Sequence, residues 1–138
     1  MMITPVKAVT VCILILALWS CSQKDLSSGQ CQVAGRIDLD GTPIAEGFIT
    51  FKDPENVQRS YGGPIRSGKF SVAVEPGRKL VEVTAQRQVP GKMVPGPSGE
   101  EIPAMESYIP EKYNRKSELT VEIASSGKND LQLNLTTQ

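Results

Sequence analysis

The residue types that usually carry enzyme chemistry are scarce in this sequence. Its 138 residues include no histidine and only three cysteines. Without histidine, neither a Ser-His-Asp triad nor a Cys-His pair can be assembled, and the commonest zinc ligand is missing. The complete phosphate-binding loop pattern G-x-x-x-x-G-K-[ST] does not occur either. The composition therefore predicts a protein that is not an enzyme and binds no metal.

The remaining candidates for chemistry are carboxylates. Asp38 and Asp40, followed by Gly41, resemble the first part of a calcium-binding loop, in which alternating acids and a glycine bend present oxygens to the cation. The glutamate that completes an EF-hand is absent, so we expect both carboxylates on the solvent side of a strand that ends in a turn. Glu100 and Glu101 lie in a segment rich in proline and glycine, where adjacent acids are usually solvated charges. No metal or catalytic site is predicted from these residues.

The first apolar segment indicates export. Residues 8–19 are apolar apart from Thr10 and follow a single cation, Lys7. A run of ~12 residues is shorter than the ~20 that a helix needs to cross the hydrocarbon core of a bilayer. The segment is therefore typical of the hydrophobic region of a secretory signal peptide.

The end of this run places a thiol where lipid attachment occurs in exported bacterial proteins. Leu18, Trp19, Ser20 and Cys21 resemble the bacterial lipobox, which has a branched apolar residue three positions before a cysteine and a small residue just before it. The resemblance implies that the Cys21 sulfur receives a diacylglyceryl group, that residues 1–20 are removed as a signal peptide, and that the new amino group is acylated, for example with palmitate. Cys21 then attaches the chain to membrane lipid, and this covalent lipid is the only non-protein group expected.

Two alternatives stay open for the same segment. In the first alternative, the apolar run is an uncleaved membrane anchor, although it is shorter than a membrane-spanning helix needs to be. In the second, ordinary signal peptidase uses Ser20 and Ser22 as its small-x-small pair and releases a soluble protein. If Cys21 is lipidated, the next residue is serine and not the aspartate that marks inner-membrane retention in the enteric sorting pattern. We therefore expect a cell-envelope protein in the outer membrane rather than the inner membrane.

The rest of the chain has the length of one domain. Residues 21–30 are small and polar, which predicts a flexible tether, and residues 31–138 are enough for one folded unit. The 15 basic and 15 acidic residues balance, so no nucleic-acid partner is indicated. Cys31 is the one cysteine left outside the signal peptide and the lipid site, so no internal disulfide is expected. A buried thiol and a bridge between chains both remain open for Cys31.

Alternation of apolar and polar residues predicts an all-β domain. In residues 31–39 the odd-numbered positions, among them Val33 and Ile37, share one face, as in a half-buried strand. Turns at residues 67–68 and 75–77 predict two successive hairpins and hence an antiparallel sheet. The predicted strands cover residues 31–39, 47–51, 61–66, 69–74, 78–88, 119–123 and 131–135, with the third at a sheet edge.

Residues 89–115 interrupt this alternation and contain four of the five candidates for partner binding. The segment is rich in proline and glycine, which predicts a long surface loop without a regular ladder. Tyrosines in and near it offer ring area and a hydroxyl to a partner, whereas the alternative is that the rings pin the loop to the sheet. Phe51 and Phe70 are expected in the core, and the face on which Phe48 lies is open. The candidate residues are Tyr61, Tyr108, Lys112, Tyr113 and Arg115.

Seven short strands joined by glycine and proline turns point to a β-sandwich. A set of short motifs also recurs in a fixed order, at residues 33–37, 40–51, 67–70, 76–78, 109–114, 117–123 and 129–131. Through these motifs the chain from residue 32 onward resembles the carboxypeptidase regulatory-like, or transthyretin-like, domain found in small bacterial envelope lipoproteins. The resemblance implies a seven-stranded antiparallel sandwich of Ig-like or prealbumin-like form that acts as a structural, spacing or binding module. One enzyme branch of that group hydrolyses 5-hydroxyisourate with histidines, which this sequence lacks.

These patterns together predict a non-catalytic, lipid-anchored envelope protein that displays one small β-sandwich. The alternative is a module that binds a glycan or another envelope protein through residues 89–115. An enzyme of unknown type is the last choice, because the residues that activate nucleophiles and bind metals are missing.

Overall fold

The computed structural model describes residues 29–126 and 128–138 and shows an all-β protein. The predicted signal peptide, its lipobox and Cys21 lie outside these ranges. Within them the only helical element is the 3-10 turn Glu111–Tyr113, and no helix is long and apolar enough to span a bilayer. The strands are β1 Cys31–Leu39, β2 Thr42–Pro43, β3 Glu46–Lys52, β4 Ser60–Arg66, β5 Lys69–Val74, β6 Gly77–Thr84, β7 Gln86–Pro95, β8 Glu101–Ser107, β9 Thr120–Ile123 and β10 Asn129–Leu135.

Eight of the strands form one sheet that folds over on itself. Its order is β10-β1-β5-β4-β3-β6-β9, with β2 paired to the end of β1, and all neighbours are antiparallel except the parallel pair β1 and β10. Between β4 and β5 the pairing is confined to Arg66 and Lys69, which flank a turn of two positive-φ residues, Ser67 and Gly68. The sheet bends at this turn. One half contains β10, β1 and β5, and the other contains β4, β3, β6 and β9.

The hydrophobic core lies between the two halves. In β3, Ile49 and Phe51 have no exposed surface. Phe48, which directly precedes Ile49, is 47% exposed. Phe51 meets Phe70 of β5 across the sandwich, with ring centroids 6.1 Å apart and planes tilted by 49°. The core position predicted for these two rings is therefore confirmed. The other side chains with no exposed surface are Val33, Ile37, Val74, Val81 and Val83.

One buried side chain links the two outer strands of the folded sheet. Asn129 begins β10, and Ala124 directly follows β9. The side-chain amide of Asn129 donates to the Ala124 carbonyl oxygen at 3.0 Å and accepts the Ala124 N–H at 2.9 Å. Both polar groups of a side chain that is only 9% exposed are thus satisfied. Asn129 joins the halves at the end of the sandwich where β1 begins.

Strands β7 and β8 form a separate two-stranded hairpin, which we call the arm. Their register runs from Gln86 opposite Ser107 to Pro95 opposite Glu101, with a bulge between Gln88 and Met93. Ala104 is the one residue of the two strands that is buried. The arm begins at the end of β6, which is the end of the sandwich opposite the start of β1.

The arm corrects the prediction that residues 89–115 form a loop without a ladder. Pro90 lies in the bulge, where no ladder hydrogen bond is lost. Pro95 and Pro103 lie on strands that each have one open edge, and proline is tolerated where its missing N–H would face solvent. Two-stranded hairpins accept prolines that a central strand would exclude.

Other predictions about the strands have mixed outcomes. Each of the seven predicted segments contains a strand, but the described residues form ten strands, so the count of seven is not confirmed. The additional strands are β2, β7 and β8. The turn at residues 75–77 joins strands in opposite halves and not a hairpin, because β6 pairs with β3 and β9. Strand β4 lies between β3 and β5 and not at a sheet edge, although its pairing with β5 is limited to one position.

Candidate functional site

The five candidate partner-binding residues do not form one site. Tyr108, Lys112, Tyr113 and Arg115 lie on the segment that returns from the arm to the sheet, whereas Tyr61 is the second residue of β4, near the opposite end of the sandwich. All three tyrosine rings pack, partly buried, against the core. Their positions agree with the alternative in which the rings pin this segment to the sheet, and partner binding by them stays a prediction.

Tyr113 and Lys112 contact the last residues of the sequence. The Tyr113 hydroxyl accepts the Thr136 N–H at 3.0 Å and lies 3.4 Å from the Thr136 hydroxyl oxygen. These hydrogen bonds hold the pKa of Tyr113 below its usual value. Lys112 lies with its ammonium 5.1 Å from the centroid of the Tyr113 ring and donates to the backbone oxygen of Gln138. Both side chains therefore have partners within the protein, and the binding of another molecule by them stays a prediction.

Tyr108 and Arg115 have neighbours of their own. The guanidinium of Arg87 lies 5.3 Å from the centroid of the Tyr108 ring, and burial raises the pKa of Tyr108. Arg115 and Lys116 approach the two oxygens of Glu111 at 2.9 and 3.0 Å. The hydrogen bond and charge of Lys116, followed by the charge of Arg115, lower the pKa of Glu111. Because exposed ion pairs contribute little, Arg115 can exchange this partner at small cost.

Tyr61 lies beside a lysine that is almost completely buried. Lys79 is 3% exposed, and its ammonium lies 3.7 Å from the Asp53 carboxylate and 6.0 Å from the centroid of the Tyr61 ring. The N–H of Glu55 lowers the pKa of Asp53, and the charge of Lys79 adds to this effect. Burial, followed by a hydrogen bond to Glu75, raises the pKa of Tyr61. Buried lysines are usually paired, so this cluster is best described as a cap on one end of the core.

The two aspartates of the calcium-like motif are engaged with protein groups. Asp38 is 8% exposed and pairs with Arg36 at 3.1 Å, so the prediction that it faces solvent is wrong. The reason is that β2 folds back beside it, with Pro43 opposite Asp38. Asp40 is exposed and accepts the N–H and hydroxyl of Thr137 at 3.1 and 2.7 Å. In the described ranges no group of three potential metal ligands occurs.

Cys31 is a free, partly exposed thiol at the start of β1. Its sulfur lies 3.5 Å from the carbonyl oxygen of Ser125. The question of a bridge between chains therefore stays open.

Phe48 forms a feature that the sequence analysis left unassigned. It lies on the outer face of β3, opposite Pro64 of β4. Its ring covers Gly62, since a Cβ at that glycine would come within 2.5 Å of the ring. The ring therefore rests on the backbone of β4 and leaves 47% of the residue exposed. The alternation of Ile49 and Phe51 toward the core was the sequence signal for this outward position.

A groove extends from Phe48 along the outer side of β6. Its first part, of about 460 Å³, lies between Phe48 and Met105 at the base of the arm. Its second part, of about 510 Å³, continues to Arg115 on the returning segment. Thr84 and Ser107 line both parts, so the two are continuous. We call this surface the Phe48 groove; its other polar side chains are Glu46, Glu82, Gln86, Glu111 and Asn114.

Comparison with known proteins identifies no family. No family model matches the chain, and no curated protein matches it. A 9R-lipoxygenase from Cyanothece PCC8801 aligns with a TM-score of 0.37 and 8% sequence identity, over 83% of this chain and 18% of the lipoxygenase chain. This likeness is too distant to bear on the fold or the function.

Proposed function

We propose that this chain is a non-catalytic lipoprotein of a cell envelope, anchored by lipid on Cys21 and displaying one β-sandwich. The observation that carries the proposal is the lipobox-like sequence of residues 18–21 at the end of an apolar run too short to span a bilayer. Each buried methylene of an acyl chain adds ~0.8 kcal/mol, so two or three chains hold a protein at a membrane surface, whereas one does not.

The sandwich core supports a finer proposal about the fold. Without β2 and the arm, the remaining strands number seven: β1, β3, β4, β5, β6, β9 and β10. Each of these seven overlaps one of the seven segments that the alternation of residues predicted as strands. We therefore propose a prealbumin-like sandwich to which the arm has been added between the fifth and sixth of these strands.

The positions of the tether and the arm support a display role. The predicted tether ends at Cys31, where β1 begins, and the arm starts at the opposite end of the sandwich. A strand rises ~3.3 Å per residue, so the nine residues of β1 separate these ends by roughly 30 Å. An anchored domain would present the arm away from the membrane. We place it in the outer membrane, since Ser22 follows the lipid site.

Metabolic labelling tests the anchor. In cells fed a labelled fatty acid, the wild-type chain should take up label and partition with outer membranes, and Cys21→Ser should do neither. Cys31→Ser is the matched control and should be labelled as the wild type is. A wild-type chain that carries no label, or is released into the medium with an unmodified thiol at its start, would overturn the proposal.

The exposed apolar residues of the arm favour a second candidate, a module that binds another envelope component through residues 89–115. Met93, Ile102 and Met105 are 49%, 38% and 53% exposed. Exposed apolar side chains on a projecting hairpin are typical of an interaction surface. Crosslinking in native envelopes should then capture a component that Met93→Ser with Ile102→Ser fails to capture. Equal capture by both chains would exclude the arm as the contact.

A further inference from the structure

We propose that the Phe48 groove is a binding site for an uncharged glycan strand. This inference deepens the binding candidate and does not require lipid attachment. The proposal assigns Phe48 as a stacking platform and the hydroxyl and amide groups of Thr84, Gln86 and Ser107 as hydrogen-bonding partners of the sugar hydroxyls.

The first argument is the position of the Phe48 ring. Gly62 leaves space for the ring to rest on the backbone of β4, and an added Cβ there would displace it. The ring is thus held on one side by the sheet, while nearly half of the residue remains accessible. A fixed aromatic surface of this kind suits the apolar face of a pyranose ring, because stacking then requires little ordering of the protein.

The second argument is the polar lining of the groove. Thr84, Gln86 and Ser107 are exposed and make no side-chain hydrogen bonds to other residues of the described ranges. Sugar hydroxyls both donate and accept, and these three side chains do the same. Arg115 and Asn114 extend this lining toward the far end of the groove. Ligand and protein groups can therefore pair without leaving a buried donor or acceptor unsatisfied.

The third argument is charge, and it favours an uncharged ligand. Glu46, Glu82 and Glu111 all line the groove. Glu82 is paired with Lys52 at 2.7 Å, and Glu111 is paired with Arg115, but Glu46 has no ion-pair partner among the described residues. The side chains that line the groove therefore comprise three carboxylates and one guanidinium, a balance that does not attract an anionic lipid surface, a sulfated glycan or a nucleic acid. The hydroxyl groups of a neutral glycan would donate hydrogen bonds to these carboxylates and would meet no charge repulsion.

The fourth argument concerns a peptide strand, which is the main competitor. Peptides that bind sheets usually pair with an exposed strand edge. Strand β3 is paired along the groove with β4 on one side and with β6 on the other, whereas β6 pairs with β9 only at residues 77–80. Along β3 the groove therefore offers side chains rather than backbone groups, and this favours a saccharide.

Binding to the full chain in detergent tests the proposal. The probes are maltohexaose, cellohexaose, chitohexaose and mannohexaose, with heparin as the charged comparison, and binding is followed by shifts of amide signals. At least one neutral hexasaccharide should shift signals around Phe48 and Thr84 in a saturable way. Phe48→Ala should weaken this binding by about tenfold or more, and Phe48→Trp should retain or strengthen it.

Matched variants separate the site from general effects on the fold. Thr84→Val should weaken binding, whereas Thr120→Val, an exposed threonine on the same outer face in β9, should leave the affinity within about twofold. Cys21→Ser should bind as the wild type does, so a failure of lipid anchoring does not affect the result.

Three outcomes would overturn the glycan proposal. The first is that no neutral hexasaccharide shifts the signals of the groove. The second is that Phe48→Ala, with a native spectrum elsewhere, keeps the wild-type affinity. The third is that heparin or a peptide binds the groove more tightly than every neutral sugar, which would replace the glycan with an anionic or protein ligand.

Discussion

The sandwich and the arm are both antiparallel β-structure, yet they are stabilised in different ways. In the sandwich, two layers enclose side chains such as Ile49 and Phe51 that have no exposed surface. In the arm, Ala104 is the one buried residue of two strands, and Met93 and Met105 are about half exposed. A two-stranded hairpin is marginal in water without a packing surface. The comparison shows that strand pairing and surface contacts such as the Arg87–Glu106 ion pair order the arm, whereas burial stabilises the sandwich.

The largest expected effect comes from a pair of phenylalanines on opposite faces of β3. Phe51→Ala should lower the free energy of unfolding by about 3–5 kcal/mol, because it leaves a cavity between the two halves. Phe48→Ala should cost about 1 kcal/mol or less, since the ring is half exposed. Urea denaturation of both variants measures the difference. Equal costs would mean that the outer face of β3 carries more stability than its exposure indicates.

The next effect concerns the link between the outer strands. Asn129→Ala removes both hydrogen bonds to Ala124 and should cost about 1–3 kcal/mol, because the Ala124 groups lose their partners. The control is Asn134→Ala, an exposed asparagine on the same strand, which should leave the urea midpoint nearly unchanged. If Asn129→Ala is as stable as the control, water has replaced the Asn129 side chain as the partner of Ala124, and this side chain does not stabilise the link between β9 and β10.

Smaller effects are expected in the arm. Met93→Ser should change the free energy of unfolding by no more than about 0.5 kcal/mol. Hydrogen exchange should be faster at the amides of β7 and β8 than at those of β6, because the arm opens without disturbing the core. Equal protection in β6 and β7 would contradict the comparison, since it would place the arm in the same cooperative unit as the sandwich.

The smallest effect is a local pH dependence at Asp40. Hydrogen bonds from Thr137 lower the pKa of Asp40 below its ordinary value of 3.8. A lowered folded-state pKa means that the carboxylate stabilises the tail above pH 3.8 and that this contribution is lost as the pH falls through the lower, folded value. The amide signal of Thr137 should therefore move only below pH 3.8, and Asp40→Asn should abolish that movement. Movement near neutral pH would refute this assignment.

Much of the sandwich was predictable from the sequence because its strands alternate in hydrophobicity. The odd positions of β1 and the positions Phe70, Val72 and Val74 of β5 face the core as the pattern indicates. The parallel pairing of β1 with β10 was not predictable in this way, because local alternation contains no information about which distant strand becomes the neighbour. The prolines of the arm led to the wrong prediction of a loop. A proline destabilises a strand only where its missing N–H would have joined a ladder, and a strand with an open edge can avoid this.

The candidate site was less predictable than the fold. The tyrosines were singled out for their chemistry. The sequence did not reveal that Thr136 bonds to Tyr113 or that Arg87 lies over Tyr108, because these partners are brought together only by the tertiary fold. The outward position of Phe48 could be predicted from the alternation of β3. The groove could not be predicted, because it is formed by β3, β6, the base of the arm and the returning segment, which are distant in the sequence.

The parallel pair of β1 and β10 also has a consequence for the order of folding. Val33 pairs with Asn129, so the first strand of the described residues is completed by the last of them. Contacts of such long sequence separation form slowly, and a nascent chain lacks this pairing until residues 129–135 have emerged. β1 therefore stays without its parallel neighbour until that point, and we expect this half of the sandwich to close late in folding.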